Sequence, residues 1–221
     1  MIGTVYQRLI ETYSLPTWTP SRDPLGELIL TILSQHTTDQ NSYRAYQELR
    51  HRYAQWEDVR EASISELYAT IKSAGLGNIK AQRIQSVLHD IIARCGHLNL
   101  DFLDMLTVDE GMRWLTALHG VGPKTTACVL MFSLGKPTLP IDTHVYRVAK
   151  RIGLISSDTS VERAHTLLAS AMPSETVYAF HMMMIQHGRK VCHARKPRCP
   201  ECILQNLCSF ARSPELASMV S

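Results

Sequence analysis

Long apolar runs are missing from this chain of 221 residues. No stretch approaches the roughly 18 to 20 apolar residues of a membrane span. The opening Met1-Ile2-Gly3-Thr4-Val5-Tyr6-Gln7-Arg8 shows no basic region followed by an apolar one, so neither an anchor nor a secretory leader is expected. Period-two alternation, internal repeats and low-complexity tracts are absent too, which argues against sheets, solenoids and long disordered segments. Charge of one sign is scarce: the net charge is only +3, so any nucleic-acid binding has to come from clustered charge and not from its total. What remains is a globular chain, rich enough in apolar residues for a packed core and long enough for one large or two small domains. It is expected inside the cell, in the cytoplasm, and unanchored.

What is present reads almost throughout as helix, an all-α pattern with apolar residues at spacings of three and four. Residues 4 to 13 carry Val5, Leu9 and Ile10 on one face. Asp23-Pro24 opens a second, buried helix, since aspartate caps a helix start and proline suits its first turn. A further helix begins at Asp39. Capping boxes stand at Ser63-Ile64-Ser65-Glu66 and Thr107-Val108-Asp109-Glu110. Between the helix that stops at Gly75 and the one that begins near Asn78, a short turn exposes Leu76. Gly135 to Ile141 holds two prolines and crosses over in extended form, after which Asp142 caps a helix containing Val145, Val148 and Ile152. Helices at roughly 160 to 171 and 174 to 187 complete the pattern.

The sharpest local signal is Leu118-His119-Gly120-Val121-Gly122-Pro123-Lys124-Thr125. It ends one apolar helix, turns on two glycines and starts another, as a helix-hairpin-helix junction does, with backbone N–H groups facing a phosphate. Lys124 lies at its mouth. The positive end of the helix dipole, and apolar packing from Val121 or Ile141, would disfavour its ammonium form. A neutral amine is a nucleophile able to attack C1′ of a deoxyribose, form a Schiff base and break the strand by elimination. A phosphate contact or simple exposure is the alternative role. Asp142, 18 residues on, is expected both to cap its helix and to stabilise a cationic sugar or move protons for the lysine.

Four of the six cysteines crowd into Cys192-x6-Cys199-x2-Cys202-x5-Cys208. In a reducing compartment such a group indicates a metal and not disulfides. Only Cys199 and Cys202 form a close pair, a spacing that favours an iron-sulfur cluster over a zinc knuckle. Cys95 and Cys128 fall on apolar helix faces and read as core. Around the first half of the cluster stand Arg189, Lys190, Arg195, Lys196 and Arg198, with no carboxylate between Glu175 and Glu201. One-sided charge on a pinned loop suits a phosphate backbone.

The hairpin, the crossover into Asp142-Thr143-His144 and the cysteine spacing, in this order, resemble the endonuclease III family of DNA glycosylases. The resemblance covers nearly the whole chain. It implies two helical domains with a DNA-binding cleft between them: a six-helix barrel with the helix-hairpin-helix at 17–135, and an iron-sulfur domain from 1–16 plus 136–221. It implies a [4Fe-4S] cluster on Cys192, Cys199, Cys202 and Cys208, Lys124 as nucleophile and Asp142 as its acidic partner. Gly120, Val121, Gly122, Thr125, His144, Gln35, His36, Leu76, Arg195 and Lys196 would meet DNA. The expected activity is removal of oxidised pyrimidines from double-stranded DNA by base flipping, with nicking at the abasic site by β-elimination, in a monomer that uses no membrane. The alternatives are a glycosylase of the same fold without lyase action, which the presence of Lys124 disfavours, and a cluster-containing DNA-binding module without catalysis. No additional C-terminal domain of the adenine-glycosylase kind is expected beyond Cys208.

Three positions depart from the family pattern. His36 aligns with the usual gap-filling glutamine, leaving Gln35 one step earlier. Gly77 stands where an aromatic is common beside Leu76. His119 replaces a usual proline. These changes bear on substrate range and rate more than on reaction type.

Overall fold

The computed structural model describes residues 1–212. Eleven α-helices lie within them: α1 Ile2–Tyr13, α2 Pro24–Ser34, α3 Asp39–Arg52, α4 Trp56–Glu61, α5 Ile64–Ile71, α6 Gly77–Cys95, α7 Val108–Thr116, α8 Pro123–Leu134, α9 Thr143–Ile152, α10 Val161–Ala169 and α11 Val177–Lys190. Short 3-10 turns link several of them, and no strand occurs among the described residues. None of the described helices is long and apolar enough to cross a membrane. The chain divides into two compact units, one of Met1–Trp18 with the residues from Pro137 onward, the other Thr19–Lys136.

The Thr19–Lys136 unit is built on α2 and α8, which pack against each other. Asp23 starts α2 as the sequence indicates: its Oδ1 accepts the Gly26 N–H at 2.8 Å, with Pro24 in the first turn. Leu28, Ile29, Ile32 and Leu33 of α2 are fully buried, each worth about 1.5–3 kcal/mol of transfer free energy. Both capping boxes form. Ser63 N–H reaches Glu66 Oε2 at 3.1 Å while Glu66 N–H returns to Ser63 Oγ at 3.2 Å, and Thr107 with Glu110 makes the same exchange. The core of this unit joins α2, α3, α5, α6, α7 and α8 through such residues as Leu49, Leu67, Val87, Leu115 and Leu130.

Two features of this unit differ from the sequence pattern. The six-residue α4 is too short for a visible apolar period; Val59 alone is buried on it. Helix α6 starts at Gly77, after Leu76 takes a left-handed backbone at φ 49°. Gly77 is buried beneath Tyr68 of α5, whose Cδ2 would lie 2.8 Å from a Cβ added there. An aromatic ring therefore does cover this turn, supplied from another helix.

In the other unit, α11 packs against α9 and α1. Val5, Leu9, Val145, Val148, Phe180 and Met184 are fully buried there. Helix α10 is shorter than the sequence pattern suggested, and α11 both begins and ends about three residues later. Its extension past Gly188 follows from close packing, since a Cβ at Gly188 would lie 2.9 Å from His144 Cβ of α9.

Candidate functional site

The hairpin is made by one left-handed glycine and one extended one. Gly120 has φ 74°, in the left-handed region that glycine takes without cost, and Val121 N–H closes the turn onto Leu118 O at 3.2 Å. Arg83 of α6 lies over it, and a Cβ at Gly120 would stand 2.8 Å from Arg83 Nε. Gly122, expected to share the left-handed backbone, instead caps α8 in an extended conformation (φ −97°, ψ 175°), with open space where a Cβ would be. A second anchor is His119, whose N–H donates to Asp90 Oδ2 at 3.0 Å. Val121 and Thr125 are each 4% exposed, so their side chains belong to the core and only their backbone is available to a ligand.

Lys124 follows in the first turn of α8, half-buried. Near it lies a carboxylate that the sequence pattern did not single out. Glu27, in the first turn of α2, is pushed up to about 7, chiefly by burial; a Thr31 hydroxyl at 3.4 Å and the charge of Lys124 act in the opposite direction, while Asp23 adds to the rise. A glutamate at a helix start normally reads as a dipole partner in solvent, which is why it passed unnoticed.

Lys80 of α6 was missed as well. It is 2% exposed, and burial lowers its amine to about 8. A depressed amine alone would recommend it as a nucleophile. Its Nζ, however, donates to Leu33 O at 2.7 Å and Ala74 O at 2.8 Å inside the protein, so it cannot meet a sugar.

Two loops of the same unit carry the remaining candidates. Gln35 Oε1 accepts from Arg83 Nη1 at 2.6 Å, whereas His36 is exposed with φ 53°. Leu76 is 52% exposed on its left-handed turn.

The other unit holds Asp142, whose Oδ1 accepts the Val145 N–H at 2.7 Å as an N-cap. The second carboxylate oxygen is not needed for that bond, so capping and proton handling are compatible. His144 Nδ1 lies 3.0 Å from Arg147 Nη2, and burial lowers the imidazole, with Asp142 opposing and Arg147 and Arg189 reinforcing. The same Arg147 donates from Nε to Cys192 O at 3.0 Å. Arg151, one turn further, donates to His193 O at 2.6 Å and to Ala194 O at 3.0 Å. Helix α9 thus carries Asp142 at one end and grips the start of the cysteine loop along its length. Arg195 and Lys196 are exposed on that loop.

Cys192, Cys199, Cys202 and Cys208 line one pocket with Arg151, His187 and Phe210. No three His, Cys, Asp or Glu groups among the described residues converge as on a single ion; the four thiols instead surround a volume, which suits a polynuclear group. Burial raises Cys202 to about 11, with the three other cysteines adding to the rise. Four thiolates gather in one place only around a strongly cationic centre. His187, neutral because burial lowers it to about 4, places Nε2 3.5 Å from Cys202 Sγ, and its Nδ1 lies 2.9 Å from the Tyr13 hydroxyl. These supports come from α1 and α11, distant in sequence, and no motif announces them. Cys128 is buried, and Cys95 packs partly buried against the core.

Comparison with known proteins agrees with this layout. Residues 29–173 match the model of the HhH-GPD superfamily base excision DNA repair proteins, and residues 192–208 that of the iron-sulfur binding domain of endonuclease III. The chain is 36% identical over 219 residues to endonuclease III of Rickettsia felis, covering 97% of this chain and 98% of that one. To endonuclease III of Thermotoga maritima it is 33% identical over 190 residues, covering 86% and 84%. It spans 59% of the length of a longer Arabidopsis thaliana relative, to which it is 34% identical over 174 residues. Its fold matches the solved structure of a trapped endonuclease III–DNA covalent intermediate with a TM-score of 0.80 at 30% identity, over 96% of this chain and 95% of that one.

Proposed function

This chain belongs to the HhH-GPD superfamily of base excision DNA repair proteins, in its endonuclease III branch, and from that premise we propose that it is a bifunctional DNA glycosylase and abasic-site lyase. The observation that carries the proposal is the placement of Lys124. A half-buried primary amine stands at the start of α8, two residues after Gly122, whose backbone has open space beside it.

The substrate is double-stranded DNA with an oxidised pyrimidine or an abasic site. The hairpin backbone at Gly120 and Gly122 holds the phosphate chain, Arg195 and Lys196 add charge, and the damaged nucleotide is turned out of the stack. Lys124 Nζ attacks C1′; the C1′–N bond breaks and its electron pair leaves with the base, which takes up a proton. Ring opening gives a Schiff base between Nζ and C1′. Loss of a proton from C2′ and departure of the 3′ phosphate then cut the strand, and water releases the lysine. The Asp142 carboxylate stabilises the cationic sugar of the first step and accepts the proton given up by the amine. Capping α9 fixes it in place for both tasks.

The cysteine quartet holds a [4Fe-4S] cluster, which when bound acts as a rigid four-point pin for residues 192–208. Division of labour follows residues 17–135 for the hairpin, the nucleophile and the inserting loops, and 1–16 with 136–221 for Asp142, the cluster and the basic loop. We take the working form to be a monomer in the cytoplasm, on the chromosome.

A lesion panel tests the substrate class. Duplexes with thymine glycol, dihydrouracil, a uracil mismatch or a bare abasic site should give base release with strand scission at the oxidised pyrimidines and scission at the abasic site. Base release without scission would instead assign a glycosylase lacking lyase action.

A further inference from the structure

Among the largest fully buried side chains of the described residues is that of a lysine, Lys80. Burying an ammonium is costly unless it is paired, and backbone carbonyls are the acceptors found for it here. Both acceptors sit at structural ends. Leu33 O belongs to the last turn of α2, where free carbonyls carry the negative end of the helix dipole, and Ala74 O ends the 3-10 turn before Gly75. One and two residues beyond the end of α2 come Gln35 and His36; two residues beyond Ala74 comes Leu76. The bonds therefore join two segments that lie about 40 residues apart in sequence and that both present exposed side chains on left-handed backbone, His36 at φ 53° and Leu76 at φ 49°.

One turn along α6, Arg83 extends the same arrangement. Its Nη1 donates to Gln35 Oε1 at 2.6 Å and its Nε lies against Gly120 of the hairpin. A single face of α6 thus touches the loop after α2, the Leu76 turn and the hairpin.

We propose that Lys80 is a positioning residue that locks the loop after α2 to the Leu76 turn, so that the groups entering the duplex on either side of an extruded nucleotide do so together. The proposal rests on the glycosylase function assigned above. Lys80 touches neither DNA nor the reacting atoms; it acts through the two loops. Its lowered amine follows from the same enclosure and sets no chemistry of its own. A hydrophobic residue of equal length would fill the space and leave both carbonyls without a donor, freeing the loops to move separately.

The test compares two substrates in the holoprotein with Lys80→Met and Lys80→Gln, the second keeping one donor should the first fail to fold. One substrate is an oxidised pyrimidine in a fully paired duplex, which has to be extruded. The other is an abasic site inside a bubble of unpaired bases, where nothing has to be extruded. Base excision from the paired duplex should fall on the order of 100-fold, the cost of misplacing groups by about 1 Å. Borohydride trapping at the bubble should stay within about threefold of the parent. An equal loss on both substrates, or no loss on the paired one, overturns the positioning role. If the parent itself releases no base and traps at neither site, it is the glycosylase assignment that fails.

Discussion

Glu27→Gln offers a quantitative test of the environment around the nucleophile. In the folded protein this carboxyl sits at about 7 against an ordinary 4.5, because burial disfavours its charged form. Between those two values the folded chain holds a proton that the unfolded chain has released. Folding then takes up a proton, so stability falls as pH rises from about 4.5 to about 7, and the loss is complete above 7. The shift corresponds to about 3 kcal/mol as an upper value. Glutamine has the same shape, can still accept from Thr31, and does not titrate. The parent and the variant should therefore have similar stability near pH 4.5, and the variant should gain steadily above it. By pH 8 the gap should approach that figure, or about 5–10 °C in melting temperature for a chain of this size. The assay is a series of thermal melts of both holoproteins from pH 4.5 to 8.5. A difference in melting temperature that does not change with pH would refute the assignment of Glu27 as a carboxyl raised by burial.

Other substitutions separate strain from surface. Gly120→Ala forces a Cβ onto left-handed backbone and towards Arg83, and should cost about 1–3 kcal/mol in urea unfolding. Gly122→Ala adds its methyl to open space on extended backbone; it should change stability by less than about 0.5 kcal/mol while weakening duplex binding, measured by fluorescence anisotropy. Tyr13→Phe removes the hydroxyl that orients His187 towards Cys202. Loss of iron to a chelator, followed by visible absorbance, should become about 10-fold faster, the low end of the roughly 10- to 100-fold range typical of removing such supports.

The helical plan was legible because its signals are local. Asp23-Pro24, the two capping boxes and Gly122-Pro123 act within one turn of the residues they organise, and the four clustered cysteines announce a shared site. Local signals fail where the chain brings distant segments together. Lys80 carries a side chain that ordinarily reaches solvent, and only the closing of α6 against the end of α2 turns it into a buried clamp. Glu27 has the composition of a solvated helix start and becomes a raised carboxyl through the packing of α2 on α8. The relay from Tyr13 through His187 to Cys202 spans almost the whole sequence. At Gly77 the sequence lacks the aromatic common to the family, yet Tyr68, nine residues earlier, covers the turn.

The central claim is that Lys124 attacks the sugar. The most direct measurement is borohydride reduction of the holoprotein with an abasic-site duplex, resolved on a denaturing gel. The parent should give a covalent protein–DNA band, Asp142→Asn a weaker one, and Lys124→Ala none. Absence of the band with the parent, or a band of equal strength with Lys124→Ala, would contradict the account.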